Sequence, residues 1–161
     1  MNWEVEIDHV DRLQLAVLGR WMVQHLPTQL TVGIIGTLGA GKTTLTQCLA
    51  QAANIDPDAV TSPTFTLLQS HHGAIKMHHM DAYRVHDEDE FLELGVEELF
   101  EEDAWTIIEW ADRMESVMPI DTLWIKIDLT DQKDRRRLTF RSQCVDLRPK
   151  IQAMIDAANG S

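Results

Sequence analysis

The chain has 161 residues, 44% of them apolar and 25% charged, a globular mix that predicts one domain over residues 1–161. Its 26 acidic against 14 basic residues give a formal net charge of −12, which argues against a chain that grips a nucleic-acid backbone itself, so any service to RNA would run through a partner. There is no apolar run of bilayer length, the start Met1-Asn2-Trp3-Glu4 carries no basic segment, and Cys48 and Cys144 lack metal-ligand spacing, so the expectation is a cytoplasmic protein without a membrane span or a disulfide.

In chain order, Val10, Leu13, Val17 and Trp21 fall at helical spacing, and Pro27 closes a predicted helix over residues 10–25. Residues 30–36, Leu-Thr-Val-Gly-Ile-Ile-Gly, read as a buried strand, and after a glycine-rich loop residues 42–53 read as a helix. Residues 60–70 and 74–80 read as extended segments joined at His71-His72-Gly73. His78 and His79 are adjacent on a predicted strand and face opposite sides, which disfavours a two-histidine metal site; His79 shares a face with Asp81 and is placed for a supporting hydrogen bond. Asp87 and Glu90 have the spacing of a capping box ahead of a short helix that Gly95 stops, and a second short helix covers residues 96–101.

Trp105-Thr106-Ile107-Ile108-Glu109 is a short apolar strand that ends in a carboxylate. Residues 122–129 and 136–142 are rich in strand formers, and the turn-prone residues 130–134 between them predict a late hairpin. Pro149 sits where a last helix would begin, with Ile151, Met154 and Ile155 on its apolar face. The pattern is α/β, with a mainly parallel central sheet and antiparallel additions.

The loop Gly36-Thr37-Leu38-Gly39-Ala40-Gly41-Lys42-Thr43 matches G-x-x-x-x-G-K-[ST] between a strand and a helix, the context a phosphate loop needs. Glycines let backbone N–H groups close around phosphate oxygens, and the helix start adds its positive dipole end. The Lys42 ammonium can reach the β- and γ-phosphates, and the Thr43 hydroxyl can ligate Mg²⁺. A chance glycine-rich turn would need neither the strand before it nor the helix after it.

Such a site also calls for acids at the carboxyl ends of neighbouring strands, and Asp81 and Glu109 both end predicted strands. Either acid can serve a metal ion, directly or through water, or orient an attacking water; the plainer roles are a turn cap for Asp81 and a surface ion pair for Glu109. Ser62-Pro63-Thr64-Phe65-Thr66 lies where a first switch segment would fall, with Thr64 as sensor of the outer phosphate or metal, although a proline-kinked strand entry accounts for it equally well.

Four blocks in this order, Gly36 to Thr44, Ser62 to Thr66, His79-Met80-Asp81-Ala82-Tyr83-Arg84 and Ile107-Ile108-Glu109-Trp110, resemble the TsaE family, P-loop ATPases of bacterial tRNA threonylcarbamoyladenosine modification. The resemblance implies a P-loop NTPase-like three-layer fold and an ATPase of low intrinsic activity that uses ATP and Mg²⁺. It implies TsaD and TsaB as partners, which transfer the threonylcarbamoyl group to adenosine 37 of tRNAs reading ANN codons, so that tRNA is served indirectly. Carried over residue by residue, Thr37, Leu38, Gly39, Ala40, Gly41, Lys42, Thr43 and Thr44 hold the nucleotide. Thr43 and Glu109 serve the metal, Asp81 is the Walker B-like acid, and Thr64 is the switch residue. Tyr83, Arg84 and Trp110 match family positions without an assigned role. The chain departs from the family in having Thr37 where Asp is usual, and the family's basic residue near the nucleotide falls on Lys133 or Arg135.

Three other readings compete. A small-molecule kinase would carry an arginine-rich lid, but residues 86–103 are acidic instead. A GTPase would carry N-K-x-D, which is absent from the sequence. A nucleotide-binding scaffold without turnover would use the same residues. The acidic stretch 87–103 reads as a solvated helix face and as a candidate docking surface.

Overall fold

A parallel strand covered on both faces reads as an almost unbroken apolar run, and Leu30–Gly36 is such a strand, buried from Leu30 to Ile34. In the computed structural model, which describes residues 2–61 and 68–160, this strand is central to a seven-stranded sheet. The strands are β1 (Trp3–Val10), β2 (Leu30–Gly36), β3 (Leu68–His72), β4 (Lys76–Asp81), β5 (Trp105–Glu109), β6 (Leu123–Leu129) and β7 (Arg136–Ser142), in the order β1-β7-β6-β2-β5-β4-β3. The interior pairs β6/β2, β2/β5 and β5/β4 are parallel. The outer pairs β1/β7, β7/β6 and β4/β3 are antiparallel. The switch segment read at residues 62–66, with Thr64, lies outside the described residues.

The helices are α1 (Arg12–His25), α2 (Lys42–Ala52), α3 (Glu88–Glu93), α4 (Val96–Phe100) and α5 (Leu147–Asn159). Two apolar clusters sandwich the sheet. One joins Val32, Ile34 and Ile107 to Leu18, Leu45, Leu49 and Ile151 of α1, α2 and α5. The other joins Met80 and Ile108 to Phe91, Val96 and Met114, so the architecture is helices on both faces of a sheet that is parallel at its centre.

Three expectations need correcting. Residues 3–10 form β1, and Val10 belongs to that strand rather than to the helix. A bulge between Ile7 and Val10, with His9 at φ 58°, breaks the two-residue alternation that would have marked it. The first helix starts after Asp11, whose carboxylate accepts from Gln14 N at 2.8 Å while Gln14 Oε1 accepts from Asp11 N at 3.0 Å. Its inner face is Leu18 and Met22, whereas Leu13 and Val17 are 81% and 46% exposed. The last helix begins at Leu147, two residues before Pro149, which its first turn tolerates because N–H groups there have no intrahelical acceptor.

The other predicted elements are present within a few residues, save that of the extended segment read at 60–70 only β3 from Leu68 onward is seen, residues 62–67 lying outside the described ones. His71, His72 and Gly73 lie at the β3–β4 turn, and β6 and β7 form the late hairpin. Asp87 caps α3 through Glu90 N at 2.9 Å, but Glu90 Oε2 accepts from His86 N rather than from the cap residue itself. Cys48 and Cys144 are free and half-buried. Among the described residues, no helix is long and apolar enough to cross a membrane.

Candidate nucleotide site

Parallel register fixes the site. Asp81 and Glu109 are register partners at the carboxyl ends of β4 and β5, and β2 ends beside them in the glycine loop. Gly39 and Gly41 have φ of 81° and 109°, a region that side chains disfavour. At Gly36 the obstacle is space, since a Cβ would stand 3.0 Å from Ile127 O and 3.1 Å from Ala40 Cβ. Gly41 precedes α2 with no side chain capping the helix, which leaves first-turn N–H groups for an anion.

Lys42 is 5% exposed. Its ammonium donates to Gly36 O and Thr37 O, both at 2.8 Å, and lies 3.9 Å from the centroid of the Trp110 ring. Burial lowers its pKa, and the charges of Glu109, Asp81 and Asp112 oppose that shift. An ammonium has three donors, so one remains for phosphate. Trp110 takes a left-handed backbone, φ 57°, and Tyr83 packs against it with ring centroids 4.8 Å apart. Arg113 ties this turn to the next strand's end by donating to Ala82 O at 3.2 Å and to Tyr83 O.

Glu109 is 2% exposed, so it is not the surface ion-pair partner that a strand-end acid would ordinarily be. Its Oε1 accepts from the Thr43 hydroxyl at 2.9 Å, and its Oε2 lies 2.5 Å from His79 Nε2. His79 therefore supports Glu109 across the strands, not Asp81 on its own strand. Asp81 caps the 82–84 turn by accepting from Tyr83 N at 2.8 Å, and it also lines the cleft. His78, on the other face, contacts Ser70 Oγ at 2.8 Å and Glu102 Oε2 at 2.7 Å, so the two histidines are divided as the alternation predicts.

Leu38, Gly39, Gly41, Lys42, Thr43 and Thr44 form one wall of a cleft of about 290 Å³, and Asp81, Glu109 and Trp110 form the other. The structure thus brings together the phosphate loop and both predicted carboxylates. Thr37 contributes its carbonyl, which accepts from Lys42 and from Ala40 N. A neighbouring cavity of about 210 Å³ runs from Ala40, Gly41 and Thr44 past Asp11, Arg12 and Leu15 to Lys133, Asp134 and Arg136. Lys133 thus lines this neighbouring cavity, while Arg135 donates to His9 O at 2.9 Å. Sequence reasoning missed Arg136, which holds the loop through Ala40 O at 2.9 Å. Only its place in the basic run 133–137 pointed to it.

The donor set fits a hard divalent cation and a polyphosphate. It offers a hydroxyl and two carboxylates beside an ammonium and an open helix start.

The strand–glycine loop–helix unit on a centrally parallel sheet places the chain among proteins of P-loop NTPase-like fold. A family model described as "Threonylcarbamoyl adenosine biosynthesis protein TsaE" matches residues 10–138. The chain belongs to the TsaE family. It is 40% identical over 106 residues to the tRNA threonylcarbamoyladenosine biosynthesis protein TsaE of Bacillus subtilis, 65% of each chain. It is 34% identical over 120 residues to that of Haemophilus influenzae, 74% of each chain. With the Aquifex aeolicus protein of the same name it shares 34% over 128 residues, 77% of this chain and 86% of the other. The chain thus spans just under two thirds of the Bacillus relative. The crystal structure of Bacillus subtilis YdiB superposes with a TM-score of 0.77 at 24% identity, covering 96% of this chain and 95% of the other, a likeness of fold.

Proposed function

We propose that this protein binds Mg–ATP in the cleft between the glycine loop and Glu109 and hydrolyses it slowly. In this reading it acts as a nucleotide-driven switch on the TsaD–TsaB machinery that makes threonylcarbamoyladenosine in tRNA. The observation that carries the reading is the Thr43–Glu109 hydrogen bond at 2.9 Å, beside Lys42. Thr43 donates its one hydrogen to Glu109 and keeps both lone pairs for a cation.

Lys42, the loop N–H groups and the start of α2 would hold the phosphates, with Thr43 and Glu109 on the metal side and Asp81 beside them. Mg²⁺ would supply charge neutralisation across the outer phosphates. The cavity walled by Arg12, Leu15, Lys133 and Arg136 has room for the base. The biosynthetic role is supported by membership of the TsaE family and by the names of its relatives. A net charge of −12 supports a chain that works on a protein partner and leaves the RNA to it.

Calorimetric titration with ATP, with and without Mg²⁺, tests the site. Wild type binds and Lys42→Ala does not; equal affinity in the two would reject it. Hydrolysis is expected to be slow alone and faster with the transfer partners present. Rapid phosphoryl transfer to a small acceptor by the isolated chain would favour a kinase instead.

A further inference from the structure

His79 has no place in the phosphate cradle, yet it is fully buried and touches the site's central acid. It lies on β4 opposite Ile107, two register positions before the Asp81–Glu109 pair, so its ring reaches Glu109 diagonally on the same sheet face. Glu109 is consequently gripped from two elements, by the Thr43 hydroxyl from α2 on Oε1 and by His79 from β4 on Oε2. A carboxylate only accepts, so Nε2 carries the shared hydrogen and Nδ1 takes no part in that bond. That Nδ1 is buried and has no hydrogen-bond partner among the described residues. On packing grounds alone this is a poor residue for the position, because leucine would fill the space without stranding a polar atom. Among the described residues, the one hydrogen bond its ring makes is that to Glu109.

We propose that His79 is a positioning residue that fixes the rotamer of Glu109 before Mg–ATP arrives. This inference rests on the Mg–ATP reading of the cleft. A glutamate has three side-chain torsions, and one at a strand end with only Thr43 to hold it would move whenever the hydroxyl turned to a cation. With Oε2 anchored on His79, Oε1 stays where the Thr43 hydrogen is. His79 thereby makes the metal side of the site rigid while leaving the phosphate cradle, which is backbone and Lys42, untouched.

Two variants test this. His79→Leu removes the donor at similar volume, and His79→Gln keeps an N–H near the Nε2 position. ATP affinity is measured calorimetrically in EDTA and in Mg²⁺, alongside kcat, KM and the Mg²⁺ concentration for half-maximal turnover, with thermal melts to confirm folding. For His79→Leu, affinity in EDTA is expected to stay within about twofold of wild type. The Mg²⁺ requirement should rise, and kcat should fall, by about tenfold to a hundredfold. His79→Gln should recover most of both. A proton NMR signal from the His79 Nε2–H, shielded from exchange in wild type, should be lost or shifted in Glu109→Ala.

The inference is overturned if His79→Leu keeps the wild-type Mg²⁺ requirement and kcat. It is also overturned if metal-free affinity and kcat fall in proportion, as for a merely structural residue, or if glutamine is no better than leucine. If wild type itself binds no Mg–ATP, the reading beneath fails and takes this inference with it. If wild type binds and the variants match it, this inference alone fails.

Discussion

The Lys42 ammonium rests 3.9 Å from the centre of the Trp110 indole, held there also by Gly36 O and Thr37 O. Such a contact is worth about 0.5–2 kcal/mol depending on desolvation. Trp110 keeps it at the expense of a left-handed backbone, φ 57°, a conformation that costs about 1–3 kcal/mol in a bulky residue. A phosphate that draws the ammonium toward itself changes the field on the indole. ATP is therefore expected to change the protein's tryptophan fluorescence, and Trp110→Phe should abolish most of that change while calorimetry still detects binding. Trp3 and Trp105 are buried away from the cleft, and an undiminished signal in Trp110→Phe would assign it to them, to Trp21 or to Trp124.

Glu109 separates metal chemistry from phosphate binding. Truncation to alanine removes the acceptor of the Thr43 hydroxyl and the partner of His79, but none of the donors facing a phosphate. Glu109→Ala is expected to lower Mg²⁺-dependent hydrolysis by about 100-fold or more. Metal-free nucleotide affinity should change only a few-fold. It also strands the buried His79 nitrogen, so stability should fall by about 1–3 kcal/mol and the melting temperature with it. Single-turnover hydrolysis and calorimetry on the same preparation give the two numbers, and an equal loss in both would remove Glu109 from the metal side.

The phosphate loop, β2, β5 and the Asp81–Glu109 pair were legible because each rests on a local rule. A parallel interior strand must be apolar throughout, and catalytic acids in such sheets stand at strand ends. What the sequence hid depends on partners far along the chain. β1 pairs with β7, at Trp3 with Ser142, and no local pattern announces a partner so distant. The face of α1 was misread because Val10 belongs to a strand and shifted the helical count toward Leu13 and Val17. The bond from His79 to Glu109 crosses from β4 to β5, so alternation along one strand pointed to Asp81 instead. Arg136 reaches Ala40 only because β7 folds back beside β6, next to the loop that follows β2.

Glu102 gives the fold a pH-sensitive clasp. Hydrogen bonds from His78 and Lys76 hold its carboxyl below the ordinary value of 4.5, tying the end of α4 to the β3–β4 hairpin. The folded state thus binds this proton more weakly than the unfolded chain. Its contribution is fully present above 4.5 and is lost as pH falls through the lowered folded value. Glu102→Gln should therefore be less stable than wild type near neutrality, and the two should converge in acid. Urea midpoints for both proteins across that range check this, and a gap that persists below the ordinary carboxylate range would point to packing instead.

Gly33 stands in the middle of β2, beneath Trp124 of the neighbouring strand. A Cβ there would lie 2.8 Å and 2.9 Å from the Trp124 ring atoms Cε3 and Cζ3, and 3.1 Å from Ala111 Cβ. Trp124 is 8% exposed, and its ring also carries the Arg141 guanidinium 5.0 Å from its centroid. Gly33→Ala must push the indole off β2 and disturb the 111–117 segment that follows Trp110. The expected cost is about 1–3 kcal/mol, read as a lowered urea midpoint at unchanged slope. Because Trp110 abuts that segment, ATP affinity should weaken as well. Trp124→Leu in the Gly33→Ala background should recover stability by making room for the methyl group. If the double variant is no more stable than Gly33→Ala, the clash lies with Ala111 and not with the indole.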